Sequence, residues 1–110
     1  MSAVKGLNQW VKEIHDNAIR HGWWNEPSSD IEVICLAHAE LSEAVEEIRN
    51  HKPPLYIENG KPEGVAVEIA DCIIRCMDFF GKMGWDLEEI VSLKTEFNKT
   101  RPWKHGNKKL

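Results

Sequence analysis

The chain predicts an all-α fold, a four-helix-bundle-like subunit with a basic C-terminal tail, and three observations carry that expectation. Apolar residues recur at helical spacing in four segments, Gly and Pro clusters punctuate the gaps, and no segment sustains the period-two alternation of a strand. At 110 residues, 42% hydrophobic and 29% charged, the chain suits a single domain, 1–110, with one ordinary core.

The first helix is expected from about residue 3 to 20, where Leu7, Trp10, Val11, Ile14 and Ala18 fall on one face. His21-Gly22 ends it. The loop Asn25-Glu26-Pro27-Ser28-Ser29 leads to Asp30, a suitable cap for a second helix over about 31–50, which Lys52-Pro53-Pro54 stops. The stretch from there to Gly64, with Asn59-Gly60 and Pro62, reads as an exposed loop, and Leu55-Tyr56-Ile57 is too short to count as a strand. A third helix covers about 65–82 and breaks at Gly84. Asp86 caps the fourth, which keeps Glu88 and Glu89 in its first turn, where the helix dipole favours anions, and runs to about Thr100.

The net charge of -4 is divided unevenly. Residues 97–110 hold Lys99, Arg101, Lys104, Lys108 and Lys109 and no acid, which leaves nine basic against eighteen acidic groups, or -9, in the remainder. An acidic body does not resemble the basic face of a duplex DNA-binding domain. Nor does any apolar run approach the roughly 20 residues that span a bilayer, and a cytoplasmic protein is expected. The three cysteines form no CxxC pair; free core thiols are the ordinary reading.

Residues 65–80 contain twelve apolar side chains and four charged ones, Glu68, Asp71, Arg75 and Asp78, all within roughly 80° of one another around the helix. Such a helix is buried, so its acids need compensation: Arg75 can pair with one, and a cation would neutralise the rest. In the second helix the stripe Ile34, Ala37, Leu41, Val45 and Ile48 is expected to pack on the core, with His38 close to it as a packing histidine. A neighbouring stripe mixes Val33, Leu36 and Ala44 with Glu40, Glu43 and Glu47. Each helix thus offers an acid pair at i and i+3, Glu40 with Glu43 and Glu68 with Asp71. Four carboxylates converging between antiparallel helices would suit a hard cation such as Mg²⁺; an ion-paired or solvated acidic face is the alternative. On the last helix Lys94, Asn98 and Arg101 share a face that suits phosphate oxygens, or else belong to a merely solubilising terminus. Trp23 and Trp24, two of five tryptophans, stand at the turn before the second helix, where an indole can stack on a base or simply pack.

Three strings taken together resemble the MazG-like branch of the all-α nucleoside triphosphate pyrophosphohydrolases. They are His38-Ala39-Glu40-Leu41-Ser42-Glu43-Ala44-Val45-Glu46-Glu47, Gly64-Val65-Ala66-Val67-Glu68-Ile69-Ala70-Asp71 and Asn98-Lys99-Thr100-Arg101-Pro102-Trp103-Lys104-His105-Gly106. The resemblance spans about residue 20 to the C-terminus, and the ordered combination is far more specific than any one string. It implies a helical protein that works as a dimer or tetramer and hydrolyses a nucleoside triphosphate to the monophosphate and pyrophosphate with Mg²⁺, or Mn²⁺ in its place. It further implies Glu40, Glu43, Glu68 and Asp71 as metal ligands, and Lys94, Asn98, Arg101, Lys99 and His105 as phosphate-side residues. The chain departs from longer members at Ala39 and Val67, where a second acid often stands, and this gives Glu47 a possible place as a substitute ligand.

Attack of water on the α-phosphorus needs a positioned water, neutralised phosphate charge and a stabilised leaving group rather than covalent chemistry from protein. Glu43 is the candidate general base. Trp23, Trp24 and Asp78 are candidates for the base or sugar, and Arg75 is expected to pair internally with the acid stripe. Two other readings stay open at this point: a non-enzymatic oligomeric helical interaction module, and phosphoribosyl-ATP pyrophosphohydrolysis, a related activity that its own substrate would reveal.

Overall fold

The computed structural model describes residues 4–103. Four helices form at the expected places: α1 (Leu7–Arg20), α2 (Asp30–Arg49), α3 (Val65–Met83) and α4 (Leu87–Lys99). Local chemistry sets their ends. α1 begins at Leu7 rather than near residue 3, because Gly6 is extended (φ -77°, ψ 171°) and gives its N–H to Gln9 Oε1 at 3.2 Å. Ser29, not Asp30, caps α2: its Oγ accepts the Glu32 N–H at 3.1 Å while Glu32 Oε1 accepts that of Ser29 at 3.2 Å, a reciprocal capping box. Asp86 caps α4 as expected, accepting the Glu89 N–H at 3.0 Å.

The segment between α2 and α3 corrects the purely helical expectation. Tyr56–Glu58 (β1) and Lys61–Glu63 (β2) pair antiparallel, Tyr56 opposite Glu63 and Glu58 opposite Lys61. The two residues between them, Asn59 (φ 52°) and Gly60 (φ 78°), both take the left-handed conformation that lets a two-residue turn follow the strands' twist.

α3 is the central element, flanked by α2 and α1, while α4 leans on α1. Asn8 ties these last two together: its N–H reaches Glu88 Oε2 at 2.9 Å, its Nδ2 reaches Asp86 Oδ1 at 2.8 Å, and its Oδ1 accepts the Glu88 N–H at 3.1 Å. α1 and α3 approach closely at Gly81, where an added Cβ would lie 2.5 Å from His15 Cβ.

The α2 stripe is the main departure from expectation. Among Ile34, Ala37, Leu41, Val45 and Ile48 only Ala37 is buried, and the other four are 44–60% exposed. The face turned to α3 is the neighbouring one, with Ala37 and Ala44 buried and Val33, Glu40 and Glu47 half-buried. Two alanines let the helices approach and leave the longer carboxylates spanning the gap. His38 is exposed with the apolar stripe rather than packed. The thiols are free, as expected, but Cys35 and Cys76 are exposed and Cys72 is half-buried.

Candidate metal centre and cleft

Four elements carry the acidic centre: α2 supplies Glu40 and Glu47, α3 supplies Glu68 and Asp71, and the hairpin of β1 and β2 supplies Glu63 and Tyr56. Glu68 is 6% exposed, one turn into α3, and it belongs to two groups of acids. One oxygen from each of Glu40, Glu68 and Asp71 lies within 4.8 Å of the others, and so does one from each of Glu47, Glu63 and Glu68. Arg75 Nε meets Glu40 Oε1 at 2.9 Å, the internal pair expected of it. The Tyr56 hydroxyl donates to both oxygens of Glu47 at 3.0 Å. Burial and the Glu47 carboxylate push that hydroxyl up to about 12, so it remains a donor at neutral pH.

Positive charge is short at this centre. Burial, the Glu40 hydrogen bond and the Asp71 charge raise Glu68 to about 7. Burial and the Glu40 charge also raise Asp71, against the opposing pull of Arg75 and Lys61. Carboxylates held this way are stabilised by a shared proton or by a cation. The donors are of the kind a hard ion takes: all are oxygens, and within each group they lie within 4.8 Å of one another.

A cleft of about 480 Å³ opens beside the first group, with Glu40, Asp71 and Arg75 at its charged end and Trp10, Ile14 and Trp23 along its apolar walls. Trp23 is 62% exposed and stands 5.6 Å from the Arg75 guanidinium. Trp24 turns away from the cleft. Its Nε1 donates to Asp78 Oδ1 and Oδ2 at 2.9 and 3.1 Å, Lys82 Nζ lies 4.7 Å over its ring, and His15 meets it edge-on at 5.8 Å. Asp78 lines the cleft, but its carboxylate also engages His15 Nδ1 at 2.7 Å. Both residues hold the 21–25 turn in place.

Of the four carboxylates expected to bind metal, three meet in one group. Glu43 is exposed and lies outside both groups, although its charge still acts on Glu68. Glu47 takes part, and Glu63 joins from a segment read as loop. The described phosphate-side residues make contacts elsewhere. Lys94 Nζ and Arg101 lie 4.9 and 5.6 Å from the Phe97 ring, and Lys99 pairs with Glu96 at 2.9 Å. Among the described residues, no hydrogen bond or ion pair joins Lys94, Asn98, Lys99 or Arg101 to the carboxylates. His105 lies outside the described residues. No helix among the described residues is long and apolar enough to cross a membrane. Comparison of the chain with protein-family profiles, curated proteins and solved structures gives no match.

Proposed function

We propose that this chain is a Mg²⁺-dependent nucleoside triphosphate pyrophosphohydrolase, releasing pyrophosphate from unwanted nucleotides, and that it works as a homo-oligomer. The observation that carries the proposal is the buried Glu68, shared by two oxygen-donor groups, one of which sends Glu40 and Asp71 into a cleft that Trp10, Ile14, Trp23 and Ile74 also line. Such a cleft suits a ligand with a flat apolar end and a polyanionic end.

Glu40, Glu68 and Asp71 would hold one ion, and Glu47, Glu63 and Glu68 have the donors for a second. A bound Mg²⁺, or Mn²⁺, supplies Lewis acidity and a more acidic water. Arg75 positions Glu40. Glu43, exposed beside the centre, accepts the proton of the water whose oxygen bonds to the α-phosphorus as the bond from that phosphorus to the leaving oxygen breaks. Trp23 and Trp10 offer the base an aromatic wall, while Trp24 and Asp78 fix the turn that carries Trp23.

Pyrophosphate release from a set of standard and modified triphosphates, with and without Mg²⁺, tests the reading. Turnover is expected only with the metal, and Glu68→Gln or Asp71→Asn is expected to lower it about a hundredfold or more while far-ultraviolet circular dichroism stays helical. Glu43→Gln should lower kcat more than it weakens Mn²⁺ binding. A wild-type protein that hydrolyses no triphosphate with either metal sinks the reading in favour of an oligomeric interaction module, which the exposed apolar stripe of α2 would also suit.

A further inference from the structure

The acidic centre lacks an obvious partner for phosphate. Arg75, the nearest guanidinium, is already bonded to Glu40, and the cations of α4 make no contact with the centre among the described residues. The hairpin supplies a different cation. Side chains at i and i+2 of a strand share a face, so Lys61 lies on the same face of β2 as Glu63, which belongs to the centre. Lys61 Nζ is 3.4 Å from Glu63 Oε1, and the Lys61 side chain is 77% exposed while that of Glu63 is 19% exposed. Its charge acts on both Glu68 and Asp71. With one donor directed at Glu63, an ammonium has two more for another acceptor.

The hairpin that carries Lys61 is held at both ends. Tyr56 anchors β1 to Glu47 of α2, and the Ala66 N–H donates to Pro54 O at 3.1 Å, fixing the base of the hairpin to the start of α3. Gly64 makes that closeness possible: an added Cβ would sit 2.2 Å from Pro54 O. Lys61 is therefore an exposed cation on a braced support at the edge of the carboxylates.

We propose that Lys61 is a phosphate-binding residue of this site, meeting the terminal phosphates of a metal-bound polyphosphate from the hairpin side. The inference rests on the nucleotide reading for its substrate class, but its chemistry is that of any magnesium polyphosphate.

Binding of magnesium tripolyphosphate, followed by calorimetry alongside triphosphate hydrolysis, tests it. Lys61→Met is expected to weaken tripolyphosphate binding and raise KM about tenfold or more, the loss typical of one charge-assisted contact, with kcat changed far less. Lys61→Arg should retain most of the affinity, and the melting temperature should hardly move, since an exposed ion pair contributes little to stability. Wild-type affinity in Lys61→Met, or no binding of magnesium tripolyphosphate by the wild type, overturns the proposal. If instead Lys61→Met loses binding but the wild type hydrolyses no nucleotide, the anion site stands and the pyrophosphohydrolase reading falls.

Discussion

Glu68 sets the chemical character of the centre and also weakens the metal-free fold. Its carboxyl is raised to about 7 from an ordinary value of 4.5, because burial and three neighbouring acids, Glu40, Asp71 and Glu43, oppose its charge. The folded chain therefore holds this proton more tightly than the unfolded chain does. Without metal, stability is expected to fall as pH rises from about 4.5 to above 7, by up to about 3 kcal/mol, since the unfolded state ionises at no such cost. Mg²⁺ should reverse that loss at pH 8 by binding the ionised form. Melting curves at pH 5, 6.5 and 8, with chelator and with Mg²⁺, check the sign. Glu68→Gln should flatten the pH dependence and raise the metal-free melting temperature at pH 8 while removing the metal effect. A melting temperature that rises with pH in chelator would mean that the acids are compensated within the chain. At this scale the sequence was informative: Glu68, Asp71 and Arg75 share a stripe on an otherwise apolar helix, and the structure puts that stripe against α2. Spacing did not tell Glu43 from Glu47, because both lie at the margin of the same stripe, one turn apart. The choice was made by the hairpin, whose Tyr56 holds Glu47.

The hairpin is the element that adds Glu63 to the helical acids and holds Glu47 beside Glu68, and Gly64 is its pivot. Gly64 has φ +119°, a conformation L side chains rarely adopt, and an added Cβ would clash with the Pro54 carbonyl. Gly64→Ala is expected to push the hairpin off α3, lowering the melting temperature by the equivalent of about 2–4 kcal/mol and weakening Mn²⁺ binding as Glu63 withdraws. Gly60→Ala makes a useful contrast. Its φ of 78° is also strained for alanine, but nothing lies within 4 Å of the added Cβ, so a smaller loss confined to the turn is expected. Equal losses from the two substitutions would show that the closeness to Pro54 does not matter. The four helices were legible because period and caps agree in each. The hairpin was signalled too, since Asn-Gly is a strong two-residue turn signal, but Pro62 within a three-residue strand and the lack of alternation made a loop the plainer reading. The phase of α2 was read wrongly for a physical reason. Hydrophobicity marks a face that avoids water, and it does not say whether the same chain or another one covers it.

That uncovered face sets the scale of the whole molecule. Among the described residues the buried hydrophobic ones are Val11, Ala37, Ala44 and Phe79, a small core, and no large side chain is fully buried. The protomer exposes 8820 Å². An ordinary folded monomer of 12.7 kDa would expose about 6,200 Å². Large apolar side chains stand in this surface: Leu41, Val45 and Ile48 of α2 are exposed, as are Ile69 and Ile73 of α3. In the homo-oligomer proposed above, a second copy would cover these residues and add the hydrophobic stabilisation that the small core does not supply, as in obligate dimers with interfaces of about 2,000–5,000 Å². Light scattering after gel filtration is therefore expected to show a dimer or tetramer at micromolar concentration, and the melting temperature should rise with protein concentration. Leu41→Glu or Ile48→Glu should shift the population to monomer and lower stability and turnover together, although neither side chain belongs to the acid groups. A wild-type monomer with a sharp, concentration-independent melt would show that this face is not an interface. The same measurement bears on α4, whose Lys94 and Arg101 have no partner in the centre of their own protomer. If turnover tracks the oligomeric fraction across these variants, the centre is complete only in the assembly, and the basic face of α4 becomes the natural candidate for what one protomer lends another.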